Sequence, residues 1–127
     1  MAACDPPSPT LFAVEIRTTR WAELVEWYRE VLGLRVLLRV VDDRYALLEA
    51  GPARLAILGR EASELASRRW SLGFEVLDLD AACRRLTAAG VSFSEPTLNP
   101  EGFRELVVID PDGNRLRLFA WLHNLHQ

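Results

Sequence analysis

The sequence predicts an α+β fold made of two successive β-α-β-β-β modules, and three observations carry that prediction. The chain repeats itself: residues 47–58 and 108–119 both read as strand, tight turn, strand, with Arg54-Leu55-Ala56-Ile57-Leu58 matching Arg115-Leu116-Arg117-Leu118-Phe119. Earlier in each half an amphipathic stretch stops at a glycine, Leu32-Gly33-Leu34 and Ala89-Gly90-Val91, and glycine suits the left-handed position that follows a helix. Apolar and β-branched runs of strand length then follow each helix.

The elements come in the same order in both halves. Residues 13–17 alternate, Ala13, Glu15 and Arg17 against Val14 and Ile16, as a half-buried strand does. A helix over 20–32 gathers Trp21, Leu24, Val25, Tyr28, Val31 and Leu32 on one face, with Thr19 as its N-cap. Strands are expected over 35–41, 45–49 and 54–58, the first two joined at Asp42-Asp43. Residues 59–69, rich in Glu, Ser and Arg, connect the halves. In the second half Trp70 begins a strand in which Leu72, Phe74 and Val76 alternate with Ser71, Gly73 and Glu75. A helix over 79–89 follows behind a capping Asp78 and buries Leu79, Cys83 and Leu86, which makes Cys83 a core residue before it is a reactive thiol. Strands over 91–93, 104–109 and 115–121 complete the module, the last pair turning at Asp112-Gly113. The organisation is therefore a Pro-rich tail (1–9), one domain over 10–122 formed by a module (10–59), a linker (60–69) and a module (70–122), and a short tail (123–127).

Composition narrows the function classes. The chain has 127 residues and is 50% hydrophobic, enough for a core without disulfides or metals. Its formal charge is −3, and the 15 basic residues are interspersed among 18 acidic ones instead of forming a stripe, which argues against nucleic acid. Arg39 interrupts the longest apolar stretch, far short of the roughly 20 residues a membrane span needs. The first nine residues lack the basic and apolar blocks of a secretion signal, and Cys4 and Cys83 form no disulfide framework. The expectation is a cytoplasmic, soluble protein.

Two motifs in this frame carry a family resemblance. Trp27-Tyr28-Arg29-Glu30-Val31-Leu32-Gly33-Leu34 ends the first helix, and Asp110-Pro111-Asp112-Gly113-Asn114 forms the last hairpin. Together, in order and inside a repeat, they resemble the vicinal oxygen chelate superfamily, the glyoxalase, bleomycin resistance and dioxygenase proteins, over nearly all of 11–121. The resemblance implies curled mixed sheets around a central cavity, each helix covering the far side of its own sheet. It also implies a divalent metal held by four side chains, at positions that fall on Ala13, Ala56, Ser71 and Arg117. Two methyls, a hydroxyl and a guanidinium cannot coordinate such an ion, so no metal cofactor is expected even if Glu15 substitutes for Ala13.

Alternation then assigns what faces the cavity. Val14, Ile16, Leu55, Ile57, Leu72, Phe74, Leu116 and Leu118 share the parity that meets the helices. The opposite parity carries Glu15, Arg17, Arg54, Glu75, Arg115, Arg117 and Phe119, with Trp121 in step. If Glu15 neutralises Arg54 and Glu75 neutralises Arg115, Arg17 and Arg117 remain, and a guanidinium in a partly dry cleft grips carboxylate or phosphate by paired hydrogen bonds. The candidate ligand-binding residues are therefore Arg17, Arg54, Arg115, Arg117, Phe119 and Trp121. Trp21 and Trp27 belong to the first helix's core pattern, while Trp70 and Trp121 are placed to flank the cavity or a dimer contact. His123 and His126 lie in the tail. The leading reading is a non-catalytic protein binding a small anionic or acyl-bearing organic molecule, as a homodimer. The alternatives are a metal-independent lyase or isomerase with Glu15 or Glu75 moving the proton, and a metal-dependent glyoxalase or dioxygenase.

Overall fold

The computed structural model describes residues 8–62 and 69–122. Ten elements follow in order: β1 (Val14–Thr18), α1 (Trp21–Glu30), β2 (Arg35–Val40), β3 (Tyr45–Ala50), β4 (Ala53–Gly59), β5 (Leu72–Glu75), α2 (Leu79–Ala88), β6 (Thr97–Asn99), β7 (Phe103–Ile109) and β8 (Arg115–Trp121). They make two separate four-stranded sheets of identical topology, ordered β1-β4-β3-β2 and β5-β8-β7-β6. In each, the first strand runs parallel to the last and the other neighbours are antiparallel, so both sheets are mixed, and neither closes on the other.

The alternation read from the sequence decides which side of each sheet is covered. Leu55 and Ile57 on β4 and Leu116 and Leu118 on β8 are buried, α1 packing on β3 and β4 and α2 on β8. Arg39 also turns to the helix side, paired with Glu26 of α1 at 3.0 Å and lying over the Trp21 ring. A bulge between Val36 and Leu38 shifts the register there, so one residue interrupts the plain alternation of β2.

Two local expectations are corrected. Thr19 does not cap α1: Arg20 is the N-cap and makes no side-chain cap bond. The hydroxyl that serves this turn is the buried Thr18, whose Oγ1 accepts the Arg20 N–H at 2.9 Å. Residues 91–93 do not form a strand, and Phe93 makes only a single bridge to Val108. The Ser94 hydroxyl takes the Val107 N–H that a continuing ladder would use, and Pro96 has no N–H to give. Pairing therefore resumes only at β6, against Phe103–Glu105. Asp78, by contrast, caps α2 as expected, accepting from the Ala81 N–H at 3.1 Å.

A single core cluster joins the modules, uniting Leu24, Val25 and Tyr28 of α1 with Leu86 of α2, Leu55 and Ile57 of the first sheet, and Leu116 and Leu118 of the second. Both sheets thus turn their helix sides toward a common interior. At its centre the Tyr28 hydroxyl, fully buried, donates to Asp110 Oδ2 at 2.6 Å. Asp110 also accepts the backbone N–H groups of Asp112 and Asn114 and the Asn114 side-chain amide. One carboxylate therefore closes the β7–β8 hairpin and anchors it to the other module's helix. Burial, and then the Asp110 charge, pushes the Tyr28 hydroxyl's pKa well up, keeping it a donor. At the far end Arg85 of α2 donates to the carbonyls of Val31 and Glu30, the last turn of α1. Arg20 donates to the Pro111 carbonyl.

Two predictions follow from these contacts. A tyrosine whose folded pKa is raised stabilises fully below its unfolded value of about 10 and loses that contribution as the pH climbs beyond it. Denaturant unfolding should accordingly show stability falling above about pH 10, and Tyr28→Phe should weaken this alkaline slope while costing about 1.5–3 kcal/mol near neutrality. Gly33 and Gly90 sit at φ +76° and +72°. A Cβ on Gly90 meets nothing, whereas one on Gly33 would lie 2.7 Å from Arg85 Nη2. Gly90→Ala should therefore cost roughly 1–2 kcal/mol from backbone conformation alone. Gly33→Ala should cost measurably more, because it also displaces the Arg85 tether.

Candidate functional site

The side of each sheet turned away from the helices is its open face, and register places the sequence's candidate residues on it. On the first sheet Glu15 pairs with Ala56 and Arg17 with Leu58. The expected Glu15–Arg54 ion pair is not the one formed. Glu15 instead approaches Arg17 at 3.9 Å, both more than half exposed, and Arg54 lies over the Phe12 ring. The reason is register: Arg54 sits opposite Glu49, two residues along β4 from the partner of Glu15.

The second sheet assembles more. Arg117 Nη1 donates to Glu105 Oε1 at 2.8 Å, and the Asn99 amide reaches the other Glu105 oxygen at 3.4 Å. The Arg117 guanidinium lies 5.5 Å from the centre of the Phe119 ring. It rests beside Gly73 of β5, where a Cβ would come within 3.4 Å of Nη2. Adjoining this polar group, Phe103, Phe119 and Trp121 form a triangle of edge-to-face contacts with centroids 5.5–5.9 Å apart. Hydrogen bonding from Arg117 holds the Glu105 carboxyl below its ordinary pKa despite partial burial, with Asn99 assisting.

Structure thus brings three sequence candidates, Arg117, Phe119 and Trp121, into one patch. Glu75, on β5 in register with Phe119, stands beside it, which puts it four residues along β8 from Arg115 and prevents the anticipated Glu75–Arg115 pair. Arg115 lies at the strand's start opposite Ile109, while Glu15, Arg17 and Arg54 belong to the other sheet. The expectation that Arg117 would be left over as a lone cation is likewise overturned, because Glu105 neutralises it. Glu105, Asn99 and Phe103 escaped the sequence reading because only the first and last strands of each module were assigned faces. The signal was present: folding 103–109 back on 115–121 about Asp112-Gly113 sets Glu105 across from Phe119 and Phe103 across from Trp121.

A cleft of about 960 Å³ also lies between the modules, on their helix sides. Its walls are mainly aliphatic, Val31, Leu34, Leu55, Leu86 and Leu118 among them, with Arg54, Ser71 and Glu75 also lining it. Arg85, which lines it too, is committed to the end of α1. Neither Arg117 nor the aromatic triangle reaches this cleft. Among the described residues no buried side-chain polar atom lacks a partner, so the core holds no unmatched polar atom for a ligand. Cys83 packs against the core, and burial pushes its thiol pKa up, as a structural cysteine's should be. His123 and His126 lie outside the described residues.

Comparison with known proteins fixes the family. The model of the glyoxalase/bleomycin resistance protein/dioxygenase superfamily matches residues 10–118. The chain belongs to this superfamily. Solved structures of similar fold include a putative glyoxalase family protein from Bacillus anthracis, 17% identical over 93% of this chain and 99% of that one, with a TM-score of 0.75. Lactoylglutathione lyase from Agrobacterium tumefaciens is 18% identical over 91% of this chain and 96% of that one, with a TM-score of 0.68. TioX from Micromonospora sp. ML1 is 25% identical over 90% and 100%, with a TM-score of 0.70. No curated protein matches the chain at a significant level.

Superfamily members commonly hold a divalent metal, and the donor set here does not fit one. The positions that the family resemblance implies for the ligands are Ala13, Ala56, Ser71 and Arg117; Ala56 is buried and Arg117 is held by Glu105. A divalent ion needs carboxylate, imidazole or thiolate donors, and among the described residues no three His, Cys, Asp or Glu gather to supply them. Elemental analysis of the purified protein should find less than one tenth of an equivalent of zinc, nickel, manganese or iron, an order-of-magnitude expectation from the missing donors. One tightly held ion per chain would place the ligands elsewhere.

Proposed function

We propose that this superfamily member is a metal-independent binding protein for a small, acyl-bearing aromatic molecule, received on the open face of the second sheet. One observation carries the reading: Arg117, hydrogen-bonded to Glu105, stands beside the Phe103–Phe119–Trp121 triangle. Phe119 and Trp121 are only partly buried and offer apolar surface to a flat ring, while Arg117 presents N–H donors to an acyl or carboxylate oxygen. Because Glu105 cancels the guanidinium's charge, the site favours a neutral carbonyl or a single carboxylate over a multiply charged phosphate. The same pair makes Glu105 a poor base, since a carboxylate held by a cation gives up basicity. Free Cys83 and the lack, among the described residues, of any helix long and apolar enough to cross a membrane accord with a cytoplasmic setting.

Titrating the protein with 1-naphthoate while following tryptophan fluorescence tests this. Saturable quenching is expected, weakened at least about 10-fold in Arg117→Gln, the worth of roughly one charge-assisted hydrogen bond. Glu105→Gln, which releases the guanidinium, should tighten it. Arg115→Gln should change it little. Equal affinity in the wild type and Arg117→Gln would overturn the assignment.

A further inference from the structure

The two modules interlock once where their repeat allows it twice. Register equates the pair Ile109 and Arg115 with Glu49 and Arg54, so the place of Asp110 in the first hairpin falls to Ala50. Counting five residues back from Gly33 and Gly90, the left-handed glycines after each helix, equates Tyr28 with Arg85. The Tyr28–Asp110 bond that seals one contact between helix and hairpin therefore has Arg85 and Ala50 as its counterpart, and a methyl accepts no hydrogen bond. Both residues line the helix-side cleft of about 960 Å³. The cleft is what the missing second interlock leaves between α2 and the first hairpin. Its walls are correspondingly wet. Ala53, on the parity of Leu55 and Ile57, is exposed, Val14 is 40% exposed, and Leu34, Leu72 and Phe74 pack on the core yet stay only partly buried.

We propose that this cleft is a second binding site, separate from the open-face patch, and that it takes a free aliphatic monocarboxylate of medium chain length. Volume and lining set the class of ligand. About 960 Å³ lies within the range of small-molecule sites, and mainly aliphatic walls, Val31, Leu34, Leu55, Leu86 and Leu118 among them, suit a hydrocarbon chain. Charge sets the head group. Among the described residues four charged ones line the cleft, Arg54, Glu75, Asp78 and Arg85. Asp78 is committed to the Ala81 N–H, and Glu75 is engaged by a neighbour. Arg85 donates to backbone carbonyls and Arg54 lies over the Phe12 ring, so neither guanidinium is neutralised by a carboxylate among the described residues. The two stand at the same end of the first sheet. Arg54 is opposite Glu49, and Glu49 is opposite Arg35, two residues beyond the Gly33 against which Arg85 rests. A carboxylate placed at that end gains charge-assisted hydrogen bonds, while its chain covers the apolar walls that water now wets.

Isothermal titration of the full chain with decanoate tests this. Saturable binding of one equivalent is expected. Along the series octanoate, decanoate and dodecanoate each acid should bind about 15-fold tighter than the one before, the worth of two buried methylenes. Decanol, which lacks the charge, should bind at least about 10-fold more weakly than decanoate. Arg54→Gln, at an exposed position, should weaken decanoate by a similar factor. Ala53→Trp, which fills the mouth of the cleft from another exposed position, should abolish decanoate binding with unchanged circular dichroism. Decanoate binding that survives Ala53→Trp but is lost in Arg117→Gln would move the ligand to the open face and overturn the proposal. An affinity independent of chain length, equal binding of decanol, or attachment to phosphatidylglycerol vesicles with no binding of free decanoate would overturn it as well. Failure to bind 1-naphthoate, by contrast, bears on the open-face site alone.

Discussion

The hydrogen bond between the Tyr28 hydroxyl and the Asp110 carboxylate is the constraint on which the rest of the molecule depends. It lies where water does not reach, so both groups must be matched, and each is. Asp110 spends its remaining acceptor capacity on the hairpin that sets β7 against β8. That hairpin's register in turn places Glu105 and Arg117 within hydrogen-bonding distance and sets Phe103, Phe119 and Trp121 edge to face. A helix in one half of the chain is thereby coupled to the geometry of the polar and aromatic patch in the other.

The same bond helps to fix which sides of the sheets look inward. With α1 anchored to the second module's hairpin and α2 tethered to the last turn of α1, the apolar sides of both sheets meet around the helices. The repeat gives two sheets of the same plan, and the shared core sets them back to back. Each open face is left as a partly apolar floor without a roof.

Pairing of Arg117 with Glu105 changes the chemistry that its position suggests. A solitary guanidinium would favour anions broadly. A guanidinium already holding a carboxylate keeps donors available but little net charge, and its selectivity comes to rest on hydrogen-bond direction and on the neighbouring rings. The Ala13, Ala56 and Ser71 positions reinforce the shift, since they bring no donor able to hold a cation in compensation.

Much of this was legible in the residues. Period-2 alternation on β1, β4, β5 and β8, helical spacing on α1 and α2, the Asp78 cap and the glycines ending both helices are short-range effects. Each is set by residues within a few positions of one another, so the order of elements, the covered sides of the sheets and the superfamily itself followed from the chain alone. The misassigned strand at 91–93 shows where that reach ends: its apolar residues suit a strand, but Ser94 and Pro96 cost it the ladder only once β7 lies alongside. Partnerships across strands were decided by tertiary structure for the same reason. Arg117 meeting Glu105 depends on the register of the β7–β8 hairpin and Tyr28 meeting Asp110 on the packing of distant elements, and a contact between residues 82 positions apart has no local signature.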